Sequence, residues 1–263
     1  LRIVSLAQNV PGPVAVARLV RRGARATKIE PPSGDPLAGI CRSWYDELHH
    51  DVEVERLDLK SPDGKARLRA LLPPADMLIA SQRPGALARL GFDAATLARD
   101  FPTLRHLNIV GELADPEHAG HDLTYLAQHG LLRDAMPLTL IADMVGAERA
   151  YTAAIELIQE PPGSSRVVGL ADAIRDLAAP LRHGLTRPGG HLGGGNPAYG
   201  VYAAREGTIA VAALEPHFRA RLYALLALAD GSDPSGTFLT RTAAEWESWA
   251  RRHDLPIVAV RQG

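Results

Sequence analysis

Cysteine is almost absent from this chain of 263 residues. Cys41 stands alone, which excludes an internal disulfide and any zinc site built on several thiolates. An excess of one charge is missing too. The 29 Lys+Arg nearly balance the 30 Asp+Glu, so the cationic surplus that generic nucleic-acid binding requires is not there. No apolar run is long enough to cross a bilayer, so no membrane span is expected. Internal repeats and low-complexity tracts are lacking; the 24 glycines and 20 prolines punctuate short elements instead. What remains is an ordinary globular composition, 46% hydrophobic, long enough for one large domain or two smaller ones. Leu1-Arg2-Ile3-Val4-Ser5-Leu6 reads as a strand rather than a secretory leader, and the cytoplasm is the default location.

The order of elements points to an α/β fold. Ile3–Leu6 is a candidate strand broken by Pro11-Gly12-Pro13. Val14–Arg22 has helical spacing, Gly23 ends it, and Ala26–Glu30 is a second strand. That is one βαβ unit. The pattern recurs with a strand at Val54–Leu59, a helix at Lys65–Leu72 capped by Ser61, and a buried strand at Met77–Ala80. Short helices at Ala86–Leu90 and Asp93–Asp100 and a strand at His106–Val110 follow. Residues 1–111 therefore read as an open sheet of Rossmann type, which binds ligands at the carboxyl ends of its strands. Helices are expected from His121 to Leu132, from Asp143 to Gln159 and from Ala171 to Ala179. After a glycine-rich stretch, Val201–Val211 reads as a hairpin turning at Arg205-Glu206-Gly207. Helices follow at Pro216–Leu228 and Thr242–Arg252, the latter placing Trp246 and Trp249 in a core. The expected organisation is a large domain over 1–183 and a small α+β domain over 184–263.

Gly120-His121-Asp122 and the later Asp143 carry the chemistry. An imidazole and a carboxylate, both at helix starts, can remove and return a proton at one carbon. On the residues alone, the backbone-bonded helix-start histidine is the favoured reading of His121, and Asp143 is equally an N-cap.

In this order along the chain, several segments resemble the class III coenzyme A transferases (CaiB/BaiF) and their racemase branch, the α-methylacyl-CoA racemases. They are Pro11-Gly12-Pro13; Lys28-Ile29-Glu30 with Gly34-Asp35; Leu57-Asp58-Leu59-Lys60-Ser61; Arg83-Pro84-Gly85 with Leu90-Gly91; Gly120-His121-Asp122; Ala142-Asp143; Gly193-Gly194-Gly195; and Leu214-Glu215-Pro216-His217-Phe218. The resemblance implies a Rossmann-like large domain, a smaller α+β domain, and a homodimer of two interlocked rings. It implies an acyl-CoA thioester as substrate, coenzyme A entering only as part of that substrate, no tightly bound cofactor and no metal. His121 and Asp143 match the acid/base pair of the racemases, and Asp143 matches the acyl-accepting nucleophile of the transferases. Glu215 matches a glutamate that orients the histidine, from the partner chain in an interlocked dimer. Gly120 and Tyr125 match positions near the thioester; a packing role for Tyr125 is equally open. Lys60 and Arg83 are the candidates for the coenzyme A phosphates, against the bland fate of solvated cations. Gly194 lies in a segment resembling a mobile active-site loop, or is a plain linker.

The implied activity is racemisation or epimerisation of a 2-methylacyl-CoA. The alternatives are CoA transfer through Asp143 and a catalytically weak acyl-CoA-binding subunit. Pro31 stands where many relatives carry arginine. Relative to the family, the chain is compressed between Gly111 and His121 and over Leu132–Pro137, and it stops at Gly263. A weakly catalytic subunit is the expectation that goes with those departures.

Overall fold

The structure, a computed structural model, describes residues 1–133 and 135–261. Asp134, Gln262 and Gly263 lie outside the described residues, and with them part of the segment 132–137 and the chain end. The chain divides into two compact units, Leu1–Ala178 and Ala179–Gly263.

The first unit runs β1 (Arg2–Ser5), α1 (Pro11–Arg21), β2 (Arg25–Glu30), α2 (Pro36–Ile40), α3 (Arg42–His49), β3 (Val52–Arg56), α4 (Pro62–Leu71), β4 (Met77–Ala80), α5 (Pro84–Leu90), α6 (Ala94–Asp100), β5 (Arg105–Val110), α7 (Asp122–Gln128), α8 (Ile141–Gln159), β6 (Ser165–Gly169) and α9 (Leu170–Leu177). Among the described residues its strands form one parallel sheet in the order β3-β2-β1-β4-β5-β6. This is the Rossmann-type sheet expected from the sequence. The winding reverses between β1 and β4, where loops leaving neighbouring strands diverge and open a crevice at their carboxyl ends.

Both faces of the sheet are buried, which is why its central strands read as unbroken apolar runs. Along β4, Met77 and Ile79 join the core that α1 and α8 make with Ala15, Leu19, Ala150 and Leu157. Leu78 and Ala80 face the other way, onto Leu68 of α4, Leu87 of α5 and Leu97 of α6. That two-residue alternation fixes which side of the sheet each helix covers.

Local chemistry sets the element ends. Pro11-Gly12-Pro13, expected as a break, instead forms the first turn of α1, because the first helical position needs no N–H. Ser61 caps α4 as expected, its hydroxyl accepting from Gly64 N at 3.0 Å. The β3 strand lies earlier than its apolar pattern indicated, since pairing with β2 begins at Ala26↔Val52. The edge strand β6 has little hydrophobic signature and exists through its ladder with β5. The sequence reading did not identify it, nor α2 and α3.

The second unit contains α10 (Ala179–Arg182), β7 (Tyr199–Ala203), β8 (Thr208–Ala212), α11 (Pro216–Leu226), α12 (Ser235–Phe238), α13 (Ala243–Arg252) and β9 (Ile257–Ala259). Its strands pair antiparallel in the order β7-β8-β9. Gly207, at φ +81°, closes the β7–β8 hairpin, with Ala204 N donating to its carbonyl. Trp246 and Trp249 lie in the core with Ile209, Leu222 and Phe238, and Trp246 Nε1 donates to the Phe238 carbonyl at 2.7 Å. The unit begins slightly before position 184 because α10 is tied forward: Leu185 N bonds Pro180 O, and Arg187 Nε bonds Leu181 O.

Candidate active site

A cleft of about 250 Å³ lies at the carboxyl end of the sheet, at its switch point. Gln8, Asn9 and Pro11 enter it after β1, Ser81 and Arg83 after β4, and Gly111 after β5. The loop Glu112–Gly120 closes one side through His118 and Gly120, and His121, Tyr125 and Asp143 complete the wall. Five residues singled out from sequence (Arg83, Gly120, His121, Tyr125 and Asp143) therefore share one cavity within the first unit.

His121 holds the N-cap position of α7 with its imidazole exposed. The Thr124 hydroxyl accepts from His121 N at 3.0 Å, and Thr124 N donates to the His121 carbonyl at 2.9 Å. The next residue, Asp122, is buried and turns inward. It caps α8 rather than its own helix: Asp122 Oδ1 accepts from Ala142 N at 2.6 Å and from Asp143 N at 3.1 Å. The N–H groups at the start of a helix such as α8 are available in principle to a substrate oxyanion. Two of them instead satisfy Asp122, an arrangement that stabilises a helix start.

Asp143 lies on the first turn of α8. Burial, then the neighbouring Asp122 carboxylate, push its carboxyl up to about 6. Both causes disfavour the ionised form. A carboxyl near neutrality is suited to moving a proton in either direction.

Tyr125 is packed to 5% exposure, and burial, with Asp143 adding, raises its phenol above the usual range. Its ring lies against Gly111 and Gly120 so closely that a Cβ on either would overlap it. Glycine at 120 is thus a matter of space. Gly120→Ala should displace the phenol and cost about 1–3 kcal/mol, as overpacking does; a urea melt of the variant checks it.

The cations divide between two hollows. Arg83, the N-cap residue of α5, is exposed in the cleft. The start of α5 is already used, since Glu117 accepts from Gly85 N at 2.6 Å. Lys60 lies outside the cleft, in a neighbouring hollow of about 470 Å³ with Pro31, Leu57, Leu59 and Gln82. Gln8 lines both. His121 and Asp143 also border a third hollow of about 470 Å³, walled by Leu123, Met136, Pro137, Leu138 and Leu140.

Glu215 and Gly194 belong to the second unit. Glu215 is exposed at the N-cap of α11. The glycine segment, which resembles a mobile loop in sequence, is folded on itself here. Gly189 N bonds Gly193 O, Gly193 N and Gly195 N bond Gly190 O, and Gly194 takes φ +96°.

Gln8, Asn9, Ser81 and His118 were not identified from sequence. The first three follow β1 and β4, so knowing the strand order would have found them. His118, whose Nδ1 is 3.9 Å from a Glu112 carboxylate oxygen, comes from a loop without a pattern of its own.

A polar cleft at the switch point of an open parallel sheet, lined by an imidazole and by a carboxyl raised to about 6, defines an α/β protein with a pocket of small-ligand size. The CoA-transferase family III model matches residues 1–137, just over half of the chain, and the chain belongs to that family. An alpha-methylacyl-CoA racemase of Mus musculus is 29% identical over 276 residues, 96% of this chain and 69% of the racemase. A cinnamoyl-CoA:phenyllactate CoA-transferase of Clostridium sporogenes is 31% identical over 144 residues, 49% of this chain and 35% of the transferase. In fold, a hypothetical protein of Mycobacterium tuberculosis superposes with a TM-score of 0.86 at 18% identity, covering 100% of this chain and 82% of that one.

Proposed function

We propose that this protein is an acyl-CoA enzyme that inverts the α-carbon of a 2-methylacyl-CoA by proton removal and return. The observation that carries the reading is the shared cleft of His121 and Asp143, with the carboxyl raised to about 6. One of the two takes the α-proton, leaving an enolate. The other delivers a proton to the opposite face, so the pair exchanges roles for the reverse reaction. Lys60 and Arg83 hold the coenzyme A phosphates as side-chain cations, because the nearby helix starts are capped by Ser61 and Glu117. The acyl group extends over the apolar hollow beside Leu138 and Leu140. In this reading the protein is a homodimer, and Glu215 of the partner chain orients the imidazole.

The runner-up is CoA transfer. Its support is that Asp143 alone supplies the nucleophile and that relatives matching about half of the chain are named as transferases. One substitution separates the two. His121→Ala should lower solvent-deuterium exchange at the α-carbon of a 2-methylacyl-CoA by about 10²–10⁴-fold, the usual contribution of an acid/base group. Under CoA transfer the wild type shows no exchange but accumulates an acyl or CoA adduct on Asp143, visible by mass spectrometry. Acyl-CoA binding with neither signal leaves the weakly catalytic subunit.

A further inference from the structure

A buried ionic cluster beneath the cleft has no part in the chemistry above. Lys28 on β2 is 2% exposed. Its Nζ lies 2.5 Å from Asp35 Oδ2, 3.2 Å from Glu30 Oε1 and 2.9 Å from His49 Nε2. Glu30 also accepts from the Tyr45 hydroxyl at 2.7 Å, and the exposed Arg56 stands 3.9 Å from its other oxygen. Burial, then Lys28, hold the His49 imidazole below its ordinary range. Its partners assign the tautomer: Nδ1–H donates to the Tyr45 carbonyl at 2.6 Å and Nε2 accepts from Lys28. Removing such charges from water is costly, and apolar residues of similar size often stabilise a fold as well or better.

The cluster reaches the cleft through one residue. Both Asp35 oxygens accept from Asn9 N, at 3.1 and 3.2 Å, and Oδ1 also accepts from Leu37 N at 2.9 Å. Asn9 has φ +63°, a left-handed conformation that costs residues with a side chain, asparagine less than most. It lies in the cleft wall beside Gln8, whose own N–H donates to the Ser81 hydroxyl at 3.1 Å.

We infer that Asp35, held in place by the buried Lys28 ammonium, is a positioning residue: its carboxylate pins the Asn9 amide and so keeps the β1–α1 wall of the cleft in its ligand-binding shape. The inference rests on the acyl-CoA reading for the identity of the ligand, and on the Asn9 geometry for the mechanism.

The test replaces the pair together, Lys28→Met with Asp35→Ala, which removes both charges of the pair and leaves the buried Glu30 carboxylate with the Tyr45 hydroxyl and Arg56 as its partners. The pair variant should stay folded by urea melt. Coenzyme A affinity, measured by calorimetry, should fall about tenfold, the order of one left-handed residue's strain. In an Asn9→Gly background, where glycine takes φ +63° freely, the same replacement should cost less than about twofold. A purely structural pair would show an equal loss in both backgrounds, which overturns the inference, as does no loss in either. Amide hydrogen exchange gives a second readout that needs no ligand. The Asn9 amide should exchange at least about tenfold faster in the pair variant while the α1 amides keep their protection; an unchanged Asn9 rate refutes the inference. Should the wild type fail to bind coenzyme A, the acyl-CoA reading falls, and the exchange measurement still decides whether Asp35 pins Asn9.

Discussion

Asp143→Asn is expected to make the protein more stable above pH 6 while removing its catalysis. The carboxyl keeps its proton to about pH 6 when folded, against 3.8 for the free group. Between those values the folded state binds more protons than the unfolded state, so stability falls as pH rises through this window. Above pH 6 the ionised, half-buried Asp143 opposes folding by about 1–3 kcal/mol. Asparagine cannot ionise, so the variant should gain that amount at pH 7–8 in a urea titration and gain nothing near pH 3. Activity should fall about a thousandfold or more, whether the residue moves a proton or accepts an acyl group. A variant that is no more stable at pH 8 than at pH 3 relative to wild type would mean that Asp143 is not raised at all. The wild-type pH profile should show one limb near 6, rising in the direction where Asp143 removes the proton and falling in the direction where it returns one.

The second large effect lies next door. Asp122→Ala removes the acceptor for Ala142 N and Asp143 N and should cost about 2–4 kcal/mol, since both bonds go to a buried carboxylate. Asp122→Asn keeps an oxygen in place and should cost about 1 kcal/mol. It also deletes the charge that helps raise Asp143, so the limb near 6 should move to lower pH. The two variants separate the roles: alanine tests the cap, and asparagine tests the charge. A limb that stays put in Asp122→Asn would leave burial as the whole cause of the raised carboxyl.

The same residues mark what could be read without coordinates. Met77-Leu78-Ile79-Ala80 announces a strand buried on both faces, and Ser61-Pro62 announces a helix start, because those signals depend on near neighbours in the chain. Gly120-His121-Asp122 and Ala142-Asp143 could be named as chemical candidates from residue type and from resemblance. An aspartate at the start of a helix such as Asp122 is by local rules a cap for its own helix. Its actual partners are 20 and 21 positions away, and no local rule points there. The glycine run at 193–195 is legible as a turn-forming composition, but its closed hydrogen bonding is not.

The amino-acid order by itself determined the α/β class, the family resemblance and most of the elements, since periodicity and turn chemistry act over a few residues. Tertiary structure alone decided which loops meet at the switch point, which N–H groups are already capped, and how far burial raises Asp143. Those outcomes depend on strand order and on the water excluded when distant segments pack, and neither quantity is carried by any one stretch of chain.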